Sequence, residues 1–304
     1  MQLLHPATLT PAVPPPAACV ALGFFDGVHR AHTAVLERAR REAAARGLPL
    51  LVYTFRGDDG PKGDARRLSS DDERLALLAA VGAELCALDL FSTARDTSPE
   101  DFVQAVLIGE LHAAVTVVGE DFRFGKGARG DAALLSVLMQ AAGREAITVS
   151  AVTEGGVPIS STRIRAALVE GDVAEAALLL GRPFTLTLPI LRGAALGRTL
   201  GFPTANQIPP AGRALPADGV YVTEVVTPDG VRRRAVTDIG VRPTVNGRER
   251  RIETHILDYT GDLYGKPLTV TFLAHLRGEA VHPDLAALTA AITNDIEEAK
   301  RWKQ

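Results

Sequence analysis

Two stretches of this chain bring glycine, imidazole and hydroxyl groups together at spacings suited to phosphate chemistry. The first is Gly23-Phe-Phe-Asp-Gly-Val-His-Arg-Ala-His32, between a strand-like run and a helical pattern. Backbone N–H groups at a helix N-terminus attract anions, and His29 and His32 beside them can donate hydrogen bonds to a polyphosphate. The second is Gly197-Arg-Thr-Leu-Gly-Phe-Pro-Thr-Ala-Asn206, with Glu253 further along. Gly193, Gly197 and Gly201 stand four residues apart and let the backbone close around phosphates.

Each of these groups also has a simpler reading. Asp26, His29 and His32 have a spacing that a metal accepts, although no further carboxylate or Cys stands at matching spacing. The Gly23 turn can be purely structural. Phe122 and Phe124 can be core, and Glu253 a surface strand acid.

Short strands alternate with helices through the first half. Runs at 18–22, 50–53, 85–90, 114–118 and 147–152 read as strands. Helices are expected over about 32–46, stopped by Gly47, and over about 70–81, capped by Ser70 with Asp71, Asp72 and Glu73 in its first turn. A third starts at Ser98-Pro99-Glu100-Asp101. This alternation predicts an α/β domain with a parallel sheet covered on both faces. Ligands of such sheets bind beyond the carboxyl ends of the strands. Gly23–His32 and the segment 119–124 both follow strands and belong at that edge.

After Pro183 the rhythm changes. Segments 185–191, 219–227, 231–238, 253–258 and 268–277 are β-rich, Pro228-Asp229-Gly230 marks a hairpin, and a helix is expected only at about 284–303. The pattern predicts a small antiparallel β-barrel closed by a C-terminal helix. The expected organisation is an extended, proline-rich lead-in at 1–17 that need not pack, an α/β domain at 18–183 and a barrel domain at 184–304.

The 304 residues suffice for two cores. A net charge of −3 disfavours a general nucleic-acid binder. No apolar run approaches the ~18 residues of a membrane span, and no secretory signal is visible. The two cysteines, Cys19 and Cys86, lie in apolar runs and read as buried thiols of a reducing compartment. A cytoplasmic protein without a membrane, nucleic-acid or obligate protein partner is expected.

The first motif resembles the Gly-x-Phe-Asp-Gly-x-His-x-Gly-His signature of bacterial FMN adenylyltransferases. Gly119-Glu-Asp-Phe-Arg-Phe-Gly125 is similar to that family's flavin-side loop, and Ile159-Ser-Ser-Thr-Arg-Ile-Arg165 to its second phosphate motif. Leu200-Gly-Phe-Pro-Thr-Ala-Asn206 resembles the signature of riboflavin kinases. Pro216-Ala-Asp-Gly-Val-Tyr221, Ile239-Gly-Val-Arg-Pro-Thr244, Glu253-Thr-His-Ile-Leu-Asp258 and Leu263-Tyr-Gly265 extend that likeness. Across nearly all of 18–302 the chain resembles the bacterial bifunctional riboflavin kinase/FMN adenylyltransferase family.

The resemblance implies a Rossmann-like nucleotidyltransferase domain followed by a riboflavin kinase-like barrel, with riboflavin, FMN and ATP as substrates and Mg²⁺ as cofactor. In the first domain Gly23, Phe25, Asp26, His29, His32, Ser160, Ser161, Thr162 and Arg165 would meet ATP, with His29 and His32 acting on its phosphates. Asp121, Phe122 and Phe124 would shape the flavin side. In the second, Gly193, Gly197, Gly201, Thr204 and Asn206 would meet ATP, Thr204 and Asn206 the metal, and Glu253 would be the general base.

The sequence departs from the family pattern at several places. Ala31 stands at the glycine of His-x-Gly-His. Thr54-Phe55-Arg56-Gly57-Asp58-Asp59 replaces Thr-Phe-x-Pro-His-Pro. Pro189 replaces a frequent glycine, and Arg277-Gly-Glu-Ala-Val-His282 is unlike the usual charged run. The first two leave open an alternative: a riboflavin kinase whose adenylyltransferase domain is impaired.

Overall fold

The computed structural model describes residues 1–4, 17–57, 66–192, 197, 200–244 and 247–303, with side chains at 242–244 and 247–248 left aside. Contacts divide it into two compact units, Met1–Ser161 and Thr162–Gln304.

The first unit is built on a six-stranded parallel sheet among the described residues. Its strands are β1 (Gln2–Leu4), β2 (Ala18–Leu22), β3 (Leu50–Phe55), β4 (Leu85–Asp89), β5 (Ala113–Gly119) and β8 (Glu145–Val149), in the order β1-β4-β3-β2-β5-β8. All of its pairings are parallel. The direction of progression reverses between β2 and β5, which makes their carboxyl ends the switch point where such sheets receive ligands.

Alternate residues of the same strands feed two cores. Cys19, Ala21, Val52 and Val115 pack under helix α1 (Arg30–Arg46), whose inward stripe is Val35, Leu36, Ala39 and Ala43. Val20, Leu22 and Leu51 face Phe102, Val103, Leu107, Leu135 and Met139 on the other side. Both cysteines are buried, and burial pushes their thiols up to about 11 and about 12.

Local signals set the helix ends. Helix α1 stops at Gly47 in the left-handed conformation (φ 63°). Helix α2 (Asp71–Ala80) starts with a reciprocal capping box between Ser70 and Glu73. Helix α3 (Phe91–Asp96) is followed by α4, capped by Ser98, which makes one α-turn, Pro99–Asp101, then continues as a wider π-helix, Phe102–Glu110. Two short strands, β6 (Arg123–Phe124) and β7 (Gly130–Asp131), form a hairpin before helix α5 (Ala132–Ala141). A second hairpin, β9 (Thr153–Glu154) with β10 (Val157–Pro158), turns through Gly155 and Gly156, both at positive φ.

The lead-in differs from expectation at its start. Gln2–Leu4 docks on β4, with Gln2 N–H donating to the Glu84 carbonyl at 2.8 Å, because the sheet otherwise ends in an unpaired edge.

The second unit opens with helices α6 (Ser161–Val169) and α7 (Val173–Leu180). The unit begins at Thr162, ahead of the barrel strands, because these helices pack on barrel residues. Ala217 N–H donates to the Leu168 carbonyl at 2.8 Å, and a Cβ at Gly171 would touch the Tyr221 hydroxyl at 3.3 Å. Both helices thus contact barrel residues.

The antiparallel barrel comprises β11 (Thr185–Pro189), β12 (Ala205–Gln207), β13 (Gly219–Val226), β14 (Arg232–Thr244), β15 (Gly247–Ile256) and β16 (Pro267–Arg277), in the order β11-β16-β13-β14-β15-β12. A bridge between Leu191, just past β11, and Asn206 in β12 brings the two edges together, with Leu191 N–H donating to the Asn206 carbonyl at 2.8 Å. From inside, the Gln207 amide donates to the carbonyls of Leu188 (2.7 Å) and Leu268 (2.9 Å). Across β13, β14 and β15 the interior carries a hydroxyl ladder, Thr223–Thr237 at 2.8 Å and Thr237–Thr254 at 3.0 Å.

Helix α8 (Leu285–Arg301), capped by Asp284, lays Ile296 and Ala299 on Val220, Val222 and Val236. Its Asp295 accepts a two-pronged ion pair from Arg277 (3.0 and 2.7 Å). The expected α/β sheet, barrel and closing helix are the observed architecture.

Candidate active sites

In the first unit the chain leaves β2 at Gly23 and enters α1 at Arg30. Gly23 has a steric reason to be glycine: a Cβ there would lie 2.9 Å from the Phe25 ring. Phe25 is buried at positive φ (53°), followed by Gly27 (79°) and Val28 (40°), so the loop coils tightly before the helix. His29 is the N-cap, its Nδ1 accepting from His32 N–H at 3.3 Å. The His29 and His32 rings stack with centroids 3.5 Å apart, and the Phe25 ring meets His32 edge-on at 5.3 Å. Two imidazoles are therefore fixed beside the positive end of a 17-residue helix.

Asp26 holds the loop instead of standing out from it. Its buried carboxylate accepts from the backbone N–H groups of Leu68 (3.0 Å) and Ser69 (3.2 Å) and from the Ser69 hydroxyl (3.4 Å). The Asp26 carbonyl accepts from the Ser161 hydroxyl at 3.1 Å, which ties Ser161 to the first motif within this unit. Arg30, between the two histidines, pairs with Glu154 of the β9–β10 hairpin, which precedes the second phosphate motif, at 2.5 Å. Ser160 and Ser161 fall in the first unit; Thr162 and Arg165 follow on α6 in the second. Among the described residues no three His, Cys, Asp or Glu side chains gather as metal ligands, which leaves the metal reading of Asp26, His29 and His32 unsupported.

The loop has a buried anchor that sequence reasoning missed. Arg74, on α2 and only 2% exposed, donates to the carbonyls of Phe24 (3.1 Å) and Phe55 (2.5 Å) and pairs with Asp71 (2.7 Å). Thr54 donates to the same Phe24 carbonyl at 2.9 Å, and the guanidinium groups of Arg67 and Arg74 lie over the Phe24 ring. Burial lowers the Arg74 pKa and Asp71 opposes that shift; an arginine keeps its charge regardless. Helical periodicity puts Arg74 inside but cannot say which carbonyls it meets. Arg74→Met removes the ion pair to Asp71, which keeps only the Gly57 N–H, and takes one donor from each of the Phe24 and Phe55 carbonyls, so it should lower unfolding stability by about 2 kcal/mol, read in a urea titration.

At the other side of the switch point, Phe122 N–H donates to the Gly119 carbonyl at 3.1 Å, closing a turn that leaves Asp121 exposed. Phe122 and Phe124 stack at 5.6 Å. From Phe124 a file of edge-on or tilted rings continues through Phe102, Tyr53, Phe55 and Phe91, at spacings of 5.3–5.6 Å. Phe124 is buried in the core and Phe122 half-buried against it, so both the core reading and an aromatic wall describe this edge. The Tyr53 hydroxyl donates to Asp89 at 2.6 Å, and burial followed by the Asp89 charge pushes its phenol up. Ala31 lies in the first turn of an unbroken α1. Arg56 and Gly57 are tied by backbone N–H groups to the Asp89 carbonyl and the Asp71 carboxylate. Asp58 and Asp59 lie outside the described residues.

In the second unit the barrel register assembles the other candidates. Asn206 on β12 stands directly opposite Glu253 on β15, and Glu253 directly opposite Asp238 on β14. Their neighbours Ile252, Thr254, Thr237 and Ile239 are fully buried, so strand alternation puts Asn206, Glu253 and Asp238 together on the outer face. Asp238 had no sequence motif of its own to mark it. The Asn206 amide N–H group donates to the carbonyl (3.2 Å) and hydroxyl (3.3 Å) of Thr204, gathering the two candidate metal ligands. A Cβ at Gly197 would meet the Phe202 carbonyl at 2.4 Å, and Phe202 N–H donates to the Gly197 carbonyl at 2.7 Å. Gly201 takes a positive φ of 87°. Gly193 lies outside the described residues. Pro189 ends β11, paired with Pro267.

Among the described residues no helix is long and apolar enough to cross a membrane. Two family models match: FAD synthetase over residues 13–163 and riboflavin kinase over 180–303. A bifunctional riboflavin kinase/FMN adenylyltransferase of Escherichia coli (strain K12) is 36% identical over 298 residues, 95% of this chain and 94% of the relative. One from Pseudomonas fluorescens is 39% identical over 295 residues, 93% and 92% of the two chains. A crystal structure described as a macrolide-efflux protein from Streptococcus pneumoniae superposes with a TM-score of 0.88 at 30% identity over 100% of both chains. This chain belongs to the bifunctional riboflavin kinase/FMN adenylyltransferase family.

Proposed function

We propose that the chain makes FAD in two ATP-dependent steps, phosphorylating riboflavin to FMN in the barrel unit and adenylylating FMN in the α/β unit. The observation that carries this reading is that each half carries its own phosphate motif and matches its own family model.

In the kinase step the terminal ribityl hydroxyl oxygen attacks the γ-phosphorus of ATP. Glu253 takes the hydroxyl proton, and the bond to the leaving ADP breaks. Thr204 and Asn206 would hold Mg²⁺. The pair fits: with its N–H group turned to Thr204, the Asn206 side chain keeps a carbonyl oxygen beside a hydroxyl, the hard donors this ion prefers. When bound, Mg²⁺ would supply charge neutralisation on the ATP phosphates. Gly193, Gly197 and Gly201 let the backbone approach them.

In the adenylyl step an FMN phosphate oxygen attacks the α-phosphorus of ATP and pyrophosphate leaves. No protein nucleophile or base is required. His29 and His32 donate hydrogen bonds to the ATP phosphates, assisted by Ser160 and Ser161. Gly23, Phe25 and Asp26 keep the loop that presents them. Thr162 and Arg165 are candidates for the same role by their motif. Phe122, Phe124 and Asp121 face the flavin. We place the protein in the cytoplasm and set the boundary between the two activities at 183/184.

Purified protein given riboflavin, ATP and Mg²⁺ should show FMN rising and then giving way to FAD. FMN accumulating without FAD, even when FMN is supplied directly, would identify a kinase with a disabled first unit.

A further inference from the structure

We infer that His255 is a positioning residue of the kinase step, holding the Pro203–Thr204 peptide where Thr204 and Asn206 can act together with Glu253. The inference rests on the kinase reading of the barrel.

His255 lies two residues beyond Glu253 on β15. Thr254 between them is fully buried, so both side chains emerge on the outer face. The His255 Nδ1 atom is 2.9 Å from the Pro203 carbonyl oxygen. That oxygen can only accept, so Nδ1 carries the proton and donates. The Phe202 ring meets the imidazole edge-on at 5.8 Å and 88°. One strand side chain thus grips both residues preceding Thr204.

The grip matters because of what proline removes. Pro203 has no N–H, so its carbonyl is the one backbone hydrogen-bonding group it can offer. That carbonyl shares a peptide plane with the nitrogen of Thr204. On the far side, the Asn206 amide donates to the carbonyl and hydroxyl of Thr204. Thr204 is therefore held from one end through His255 and from the other through Asn206, and both holds run back to β15. Asn206 reaches that strand by its register with Glu253, His255 by standing on it. The spacing between base and candidate metal ligands is set by a single strand.

The test compares His255→Leu, which keeps apolar bulk against Phe202 but has no donor, with His255→Asn, whose amide offers an N–H near the Nδ1 position. Both are made in the full-length protein. The expected result for His255→Leu is a roughly ten- to hundredfold loss in kcat/KM for MgATP in FMN formation, the scale of a misplaced reacting group. KM for riboflavin and the conversion of supplied FMN to FAD should stay at wild-type values. His255→Asn should recover most of the loss. His255→Leu with wild-type kinetics, or His255→Asn as impaired as His255→Leu, overturns the inference. A wild-type protein that makes no FMN would instead remove the kinase reading beneath it.

Discussion

Glu253→Gln should slow FMN formation by roughly 10²–10⁴-fold, the usual contribution of a positioned general base, and leave conversion of supplied FMN to FAD at the wild-type rate. Glutamine keeps the shape and hydrogen-bonding reach of the side chain but cannot take the ribityl proton. Glu253 points outward from β15, and the packing on that strand is made by Ile252, Thr254 and Ile256, which the substitution leaves in place. Stopped-flow or HPLC rates with saturating MgATP give the number. A rise in KM with kcat unchanged would mean that Glu253 binds substrate without moving a proton, since removing a group that acts only in the transition state lowers kcat.

His32→Ala should have the opposite pattern, an expected loss of about 10²-fold or more in FMN adenylylation with riboflavin phosphorylation unchanged. His32 is the better choice of the two histidines. His29 also caps α1 by accepting from His32 N–H, so replacing it would shorten the helix and confuse catalysis with folding. Alanine at 32 keeps that backbone donor and removes only the ring that stacks on His29 and touches Phe25. The measurement is FAD formation from supplied FMN, with circular dichroism to show that α1 persists.

The two sites were legible in the sequence to different depths. The strand-to-helix junction at Gly23 was readable because the apolar run, the glycine and the helical pattern after it each carry a local signal. The helix stop at Gly47 and the capping box at Ser70 were readable for the same reason. Asp26 was placed in the right loop, yet its partners are backbone groups of Leu68 and Ser69, some forty positions away in sequence, and no local rule anticipates them. Arg74 was invisible as an anchor, since the pattern of α2 allows an inward arginine but not the identity of the carbonyls it meets.

In the barrel five of the six strands were readable; the short β12, the start of β15 at Gly247 and the register were not. A one-residue slip of β15 would send Glu253 into the interior, so the alignment of Asn206, Glu253 and Asp238 needed coordinates. Closure through Leu191 and Asn206 depends on one bridge beyond the end of β11, which strand propensity does not encode. The docking of Gln2–Leu4 on β4 was missed because an edge accepts almost any extended segment. Helices α6 and α7 precede the barrel in sequence but pack on it, and the change of rhythm at Pro183 falls after them.

The central claim is that two independent sites in one chain act in series through FMN. It is tested most directly by mixing the Glu253→Gln and His32→Ala proteins with riboflavin, ATP and Mg²⁺ and following FAD. Alone, the first should make almost no FMN and the second should stop at FMN. Mixed, they should produce FAD, because FMN released by one protein is taken up by the other. Two folded variants that yield no FAD together, where the wild type does, would contradict the two-site account.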